Sequence, residues 1–324
     1  MSPQGGPNGE YRRSQHEGFL KSGSMRRHLA ATVAAFLVLA GASGSTKAAS
    51  FDGGLSPSGM AAAMRPLRLP PGVQRVADLA YGPEMRQRMD VYLPPQPRRA
   101  PVIVMVHGGA WMIGNKALPQ VVENKVAHWV TQGAIFVSVN YRLVPQVAPV
   151  EQADDVAHAL AKVQALAASW GGDPDRVVLM GHSAGAHLVA LVGASPLLAQ
   201  RAGARPWLGT VVLDSAALHL TDLMRRPHAR FYDRAFGTEP ARWPAASPFD
   251  NLAPGAPPML LVCSTRRPDR SCEQSAEFAE RANARGVRAS VSSQDLSHGE
   301  VNATLGLPGP ETDAVDAFLA SVGF

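Results

Sequence analysis

Residues 177–185 read Val177-Val178-Leu179-Met180-Gly181-His182-Ser183-Ala184-Gly185. An apolar run of strand length is followed by Gly-x-Ser-x-Gly, and then by Ala184–Val192, a stretch of small and apolar residues that reads as a helix. The turn between them is tight enough that both flanking positions must be small, which Gly181 and Gly185 satisfy. It lifts the Ser183 hydroxyl to the N-terminus of a helix, whose free amides favour developing negative charge. Gly-x-Ser-x-Gly alone occurs in many chains. The strand before it and the helix after it make Ser183 a candidate nucleophile rather than an ordinary turn serine.

About 70 residues upstream, the apolar run Val102–Val106 leads into His107-Gly108-Gly109-Ala110-Trp111. Standing alone, paired glycines are a tight turn. Ahead of a serine elbow, the amides of Gly108 and Gly109, with that of Ala184, are the expected oxyanion hole. His107 reads as a brace for this loop. Trp111 reads either as a wall of the substrate pocket or as simple packing.

A serine nucleophile needs a base, and the base needs an orienting acid, in the chain order serine, acid, histidine. Of the ten histidines, His298 fits, following the last expected strand, Val287–Ser292. His219 and His228 lie in a Pro- and Arg-rich stretch. His182 and His187 adjoin the elbow and cannot fold back onto the Ser183 hydroxyl in good geometry. The acid is expected after the strand Met259–Cys263, in Ser264-Thr265-Arg266-Arg267-Pro268-Asp269-Arg270, where Asp269 is the one carboxylate. Asp214, ending the preceding strand, and Asp295, on the His298 loop, are the alternatives.

Further outward, Ala134–Val139 and Thr210–Leu213 repeat the buried-strand signature, and Val76–Tyr81 and Met89–Leu93 read as early strands. Helical stretches alternate with them at 121–131, 150–169, 184–192, 273–285 and 312–322. This is the pattern of a mostly parallel sheet covered on both faces. Residues 218–257 break the rhythm as a lid-like insertion.

The chain has 324 residues, 46% of them hydrophobic and 18% charged, which excludes a disordered or fibrous protein. The net charge of +5 belongs to the N-terminus. Residues 1–48 hold six basic and two acidic residues, and the remainder holds 25 and 24. A nearly neutral body implies no nucleic-acid partner. Residues 25–48 combine Arg26-Arg27, an apolar run and a small-residue exit, the signature of a secretory signal peptide. The apolar run falls short of a spanning helix, so no stable membrane insertion is expected once the leader is removed, with an uncleaved anchor as the alternative. Met25 reads as the true start, residues 1–24 as a dispensable extension, 49–72 as an irregular lead-in and 73–324 as the catalytic domain.

Taken together, the Gly181–His187 elbow, His107–Trp111, Asn140-Tyr141-Arg142-Leu143 and Gly171–Arg176 resemble the α/β-hydrolase superfamily. Within it they are similar to secreted bacterial carboxylesterases and to acetyl- and feruloyl-esterase-like serine hydrolases. The resemblance implies an α/β-hydrolase sheet of about eight strands, with Ser183 as nucleophile, Gly108 and Gly109 in the oxyanion hole and His298 as the late histidine; Asp269, read from its loop, completes the expected triad. With these residues the expected reaction is hydrolysis of small carboxylic esters through an acyl-enzyme. Relatives commonly carry Gly-x-x-Asp in the acid loop, where this chain is Arg-rich. An arylformamidase-like amide hydrolase or a peptidase shares the His-Gly-Gly-x-Trp pattern, and a non-catalytic binding scaffold would normally lack a triad member. No metal-ligand spacing and no phosphate-binding glycine loop is present, so neither metal nor nucleotide cofactor is expected.

The two cysteines, Cys263 and Cys272, flank the acid loop. In an exported chain with no other cysteine they are expected to form a disulfide, which would steady Asp269.

Overall fold

Apolar runs too continuous to leave one face in water build the centre of the sheet. The computed structural model describes residues 65–324, and the expected extension, leader and first part of the lead-in lie outside them. The eight strands are β1 (Gln74–Ala80), β2 (Arg88–Leu93), β3 (Ala100–Val106), β4 (Ile135–Val139), β5 (Gly172–His182), β6 (Gly209–Leu213), β7 (Met259–Ser264) and β8 (Ala289–Gln294). They form one sheet in the order β1-β2-β4-β3-β5-β6-β7-β8. β2 is antiparallel to both its neighbours, and every other pairing is parallel.

Alternation along the strands divides the core in two. Val102, Val104, Val106, Val177 and Leu179 face one layer, and Ile103, Met105, Val178 and Met180 face the other. Both sides of each central strand are therefore covered, as parallel sheets require. The helices are α1 (Pro119–Lys125), α2 (Pro149–Leu166), α3 (Ala184–Ala194), α4 (Pro196–Arg201), α5 (Leu220–Leu223), α6 (Arg230–Phe236), α7 (Pro248–Asn251), α8 (Ser271–Ala284), α9 (His298–Ala303) and α10 (Pro310–Ser321). Helices α2, α3 and α8 cover the first face, through residues such as Leu160, Leu188 and Phe278. Helices α1, α9 and α10 cover the second, through Val122, Val301 and Phe318. Every residue of α3 is buried, which its Gly, Ala, Val and Leu composition permits.

β5 begins at Gly172, five residues before the apolar run starts, because Gly172 pairs with Ala100 across a register shift. Between β6 and β7 the chain forms α5, α6 and α7, whose Tyr232 and Phe236 are buried in the first layer. Among the described residues no helix is long and apolar enough to cross a membrane.

Strand order locates the site. From β3 the chain moves to β4 on one side, and then crosses back to β5 on the other. Loops leaving β3 and β5 diverge, opening a crevice beyond their carboxyl ends, where open α/β sheets bind ligands. His107-Gly108-Gly109 leaves β3 there, and Ser183 leaves β5.

Candidate active site

Ser183 sits between β5 and α3 with φ 57° and ψ −118°, a conformation costly for a residue with a Cβ. Two hydrogen bonds hold it: its N–H donates to Leu213 O at 2.9 Å, and its carbonyl accepts from His187 N at 3.0 Å. The flanking glycines are required by space. A Cβ on Gly181 would lie 2.4 Å from Gly185 O, and one on Gly185 would lie 2.2 Å from Val106 O.

His298 is the first residue of α9. Ser297 caps that helix, its Oγ accepting from Glu300 N while Glu300 Oε2 accepts from Ser297 N at 2.7 Å. The cap sets the direction of the ring. His298 Nε2 lies 2.9 Å from Ser183 Oγ, and Nδ1 lies 2.6 Å from Asp214 Oδ2. A carboxylate only accepts, so the Nδ1 proton points at Asp214 and the Nε2 lone pair faces the Ser183 hydroxyl.

The carboxylate beside His298 is therefore Asp214, at the end of β6. Asp269, the expected acid, forms its hydrogen bonds with Arg267, through Nε and Nη2, and none with His298. Its cation stands two residues away and captures it locally. Asp295, the third candidate, pairs with Arg266 at 2.7 Å. Asp214 is fully buried and accepts from Ser264 N at 2.9 Å through Oδ1. Its Oδ2 accepts from Arg267 Nη1 at 3.0 Å, besides His298. Burial alone would raise its pKa. The His298 hydrogen bond and the Arg267 charge outweigh it and hold the carboxyl well below the usual carboxylate range.

Cys263 and Cys272 lie in disulfide geometry, 5.1 Å apart at Cα. The loop they close brings Arg267, not Asp269, to the His298–Asp214 pair. Arg267 is the residue that sequence reasoning missed. Its signal was the run of arginines in this loop, which reads equally as a solvated surface.

The amides of Gly108 and Gly109 meet no acceptor among the described residues, and Ala184 N opens α3, where helix amides lack intrahelical partners. All three residues line the same cavity as Ser183 and His298, about 1100 Å³ in volume. Trp111 both lines it and packs. Its ring lies 4.6 Å from Phe236 and 5.8 Å from Tyr232, two residues of the insertion. Phe231 and Tyr232 complete this aromatic side of the cavity.

The other nearby histidines are structural. His107 is buried, stacks on Tyr141 at 4.5 Å and is depressed by burial to a pKa of about 4. His187 accepts from Trp111 Nε1 at 3.2 Å and donates from Nε2 to Ala246 O at 2.7 Å. Burial takes it to about 4 as well, so it is neutral. His182 donates to the His298 carbonyl at 2.9 Å. Burial and the neighbouring His298 keep it uncharged.

Residues 89–204 match the BD-FAE family. The chain is 33% identical over 241 residues to Carboxylesterase NlhH of Mycobacterium tuberculosis, covering 67% of this chain and 72% of that protein. It is 34% identical to Esterase LipQ of the same species, over 63% of this chain and 52% of that one. It is 36% identical to the probable isoprenylcysteine alpha-carbonyl methylesterase ICME of Oryza sativa, over 36% and 28%. It thus spans about half of LipQ and about a quarter of the rice protein. Among solved structures, the apo form of Thermogutta terrifontis esterase 2 superposes with a TM-score of 0.63 at 24% identity, covering 78% of this chain and 96% of that one. Esterase B of Lactobacillus rhamnosus gives 0.62 at 21%, covering 79% and 88%. The fold is that of the α/β hydrolases. The chain belongs to the α/β-hydrolase carboxylesterase family.

Proposed function

We propose that this protein hydrolyses small-molecule carboxylic esters by acyl transfer, with Ser183 as nucleophile, His298 as base and Asp214 as orienting acid. The observation that carries the reading is the unbroken pair of hydrogen bonds from Ser183 Oγ to His298 and from His298 to a buried carboxylate, 2.9 and 2.6 Å long. Ser183 Oγ attacks the ester carbonyl carbon as its proton passes to His298 Nε2. Asp214 stabilises the resulting imidazolium. The amides of Gly108, Gly109 and Ala184 receive the oxyanion, each contributing about 3 kcal/mol to the transition state. Collapse of the intermediate expels the alcohol, which takes the proton from His298. Water then attacks the acyl-enzyme, His298 accepts its proton, and the acid leaves as Ser183 Oγ is reprotonated. The aromatic side formed by Trp111, Phe231 and Tyr232 favours an apolar group on the substrate.

The test is a series of p-nitrophenyl esters of increasing acyl length, run beside the matching anilides, with fluorophosphonate labelling to locate the nucleophile. Ester turnover with labelling at Ser183 is the expected result. Anilide turnover without ester turnover would favour the amide-hydrolase alternative, and absence of labelling would favour a binding scaffold.

Export is part of the same proposal. The signal-like residues 25–48 and the paired cysteines support a periplasmic or secreted protein, since disulfides persist in oxidising compartments. N-terminal sequencing of protein recovered outside the cytoplasm, expected to begin near Ala49, tests it.

A further inference from the structure

Arg267 stands where the sequence predicts the acid's neighbourhood, and it is mostly buried, with a side chain 13% exposed. Its Nη1 donates both to the Asp214 backbone carbonyl at 2.8 Å and to Asp214 Oδ2 at 3.0 Å. One nitrogen thus ties the carboxylate to its own main chain and fixes the side-chain torsion. The same nitrogen lies 2.8 Å from His298 Nδ1. Both are donors, so this is a convergence on Asp214 Oδ2, with a cation held against the imidazole. The far edge of the guanidinium is gripped by Asp269. Asp269, Arg267, Asp214, His298 and Ser183 therefore form one chain of alternating partners.

We propose that Arg267 is a positioning residue whose guanidinium fixes the Asp214 carboxylate and, by resting beside His298, extends activity to lower pH. The inference rests on the ester-hydrolase reading above. A base must be uncharged to act, and an adjacent cation disfavours a second positive charge on the ring. The other groups facing His298 do not supply that cation. His182 from β5, its ring 4.6 Å from that of His298, is neutral, and the exposed Asp295 and Glu300 of its own segment are paired with Arg266. Removing Arg267 leaves the ring facing Asp214 and a freed Asp269. Removing the Asp269 charge leaves Arg267 less neutralised. The two changes push in opposite directions.

The experiment is the pH dependence of kcat/KM for p-nitrophenyl butyrate in the full chain and in Arg267→Met, Arg267→Lys and Asp269→Asn, with active sites counted by fluorophosphonate titration. In parallel, the His298 ring is titrated by NMR, a readout that needs no turnover. The acid limb is expected to move to higher pH in Arg267→Met, to return toward the native position in Arg267→Lys, and to move to lower pH in Asp269→Asn. An arginine that served only to order the loop would lower the rate at every pH and leave the limb in place. An unmoved limb and an unmoved His298 titration in Arg267→Met overturn the proposal, as does a rise in Asp269→Asn. If the native protein turns over no ester, the esterase reading fails, and the NMR titrations still decide the role of Arg267.

Discussion

Asp214→Asn keeps size and shape while removing one acceptor, in a site where every acceptor is in use. The two carboxylate oxygens are used by three donors: Oδ1 by Ser264 N, and Oδ2 by His298 Nδ1 and Arg267 Nη1. An amide offers one oxygen and one NH₂. With the NH₂ at the Oδ1 position, it confronts a fixed backbone N–H. With the NH₂ at the Oδ2 position, it confronts both a cation and the imidazole, which must then move its proton to Nε2 and present a donor to Ser183 instead of a lone pair. Leaving a buried donor unmatched costs about 1–3 kcal/mol of stability. A wrong tautomer in a serine triad lowers kcat by about 10⁴, equivalent to about 5.5 kcal/mol of barrier. Steady-state hydrolysis of p-nitrophenyl butyrate, normalised to folded protein by circular dichroism, should therefore fall by about 10³–10⁴. Asp269→Asn, one partner removed from the ring, should lose less than about tenfold at neutral pH. Asp214→Asn activity within tenfold of native, or a larger loss in Asp269→Asn, would refute the assignment of the acid.

Ser183→Ala should abolish both turnover and fluorophosphonate labelling with an unchanged melting curve, and residual turnover near the native rate would exclude Ser183 as nucleophile. Cys272→Ser should lower stability by roughly 2–3 kcal/mol, the entropy of a loop of about ten residues; urea unfolding with and without reductant measures it, and equal curves would show that the pair is not bonded in solution. Gly185→Ala should prevent folding of the elbow, since its methyl carbon would meet Val106 O at 2.2 Å and His107 O at 2.5 Å; a soluble, active variant would contradict that packing. His107 and His187, both depressed to about 4, bind protons more readily when unfolded, so their contribution is complete above about pH 6.5 and is lost as pH falls toward 4, by up to about 3 kcal/mol each. Replacing His187 by Gln should flatten the fall of urea-midpoint stability across that interval, and an unchanged slope would argue against a neutral buried His187.

How much of the molecule is legible in the sequence depends on how locally each feature is determined. The central strands could be read because a strand covered on both faces is apolar at every position, as Val102–Val106 and Val177–Met180 are. Ser183 could be read because its turn admits only small neighbours. His298 could be read by position after the last strand, although its place at a capped helix start depends on Ser297 and Glu300. Other features depend on partners far away in the chain. Lys125 ends an amphipathic helix and would ordinarily be solvated. It is instead buried, with Nζ donating to Gln120 O at 3.1 Å and to Asn302 O on α9 at 2.5 Å. Desolvation there lowers its pKa to about 7. Nothing near residue 125 announces that carbonyl, which arrives from 177 positions later.

The acid shows the same division more sharply. β6 and β7 are adjacent and parallel, with Leu213 opposite Val262, so the residues leaving them reach the same rim. A carboxylate after either strand could meet His298, and the topology does not choose. The local charge does. Asp269 has Arg267 two positions away, closes an ion pair within its own loop and remains partly exposed. Asp214 comes after five fully buried residues and has no cation within several positions on either side. A buried carboxylate without partners is too costly to persist, so Asp214 requires donors from elsewhere in the chain. The Ser264 amide, Arg267 and His298 meet that requirement. In an arginine-rich acid loop, the carboxylate with a nearby arginine is thus the weaker candidate, and the one without local neutralisation is the one that meets the histidine.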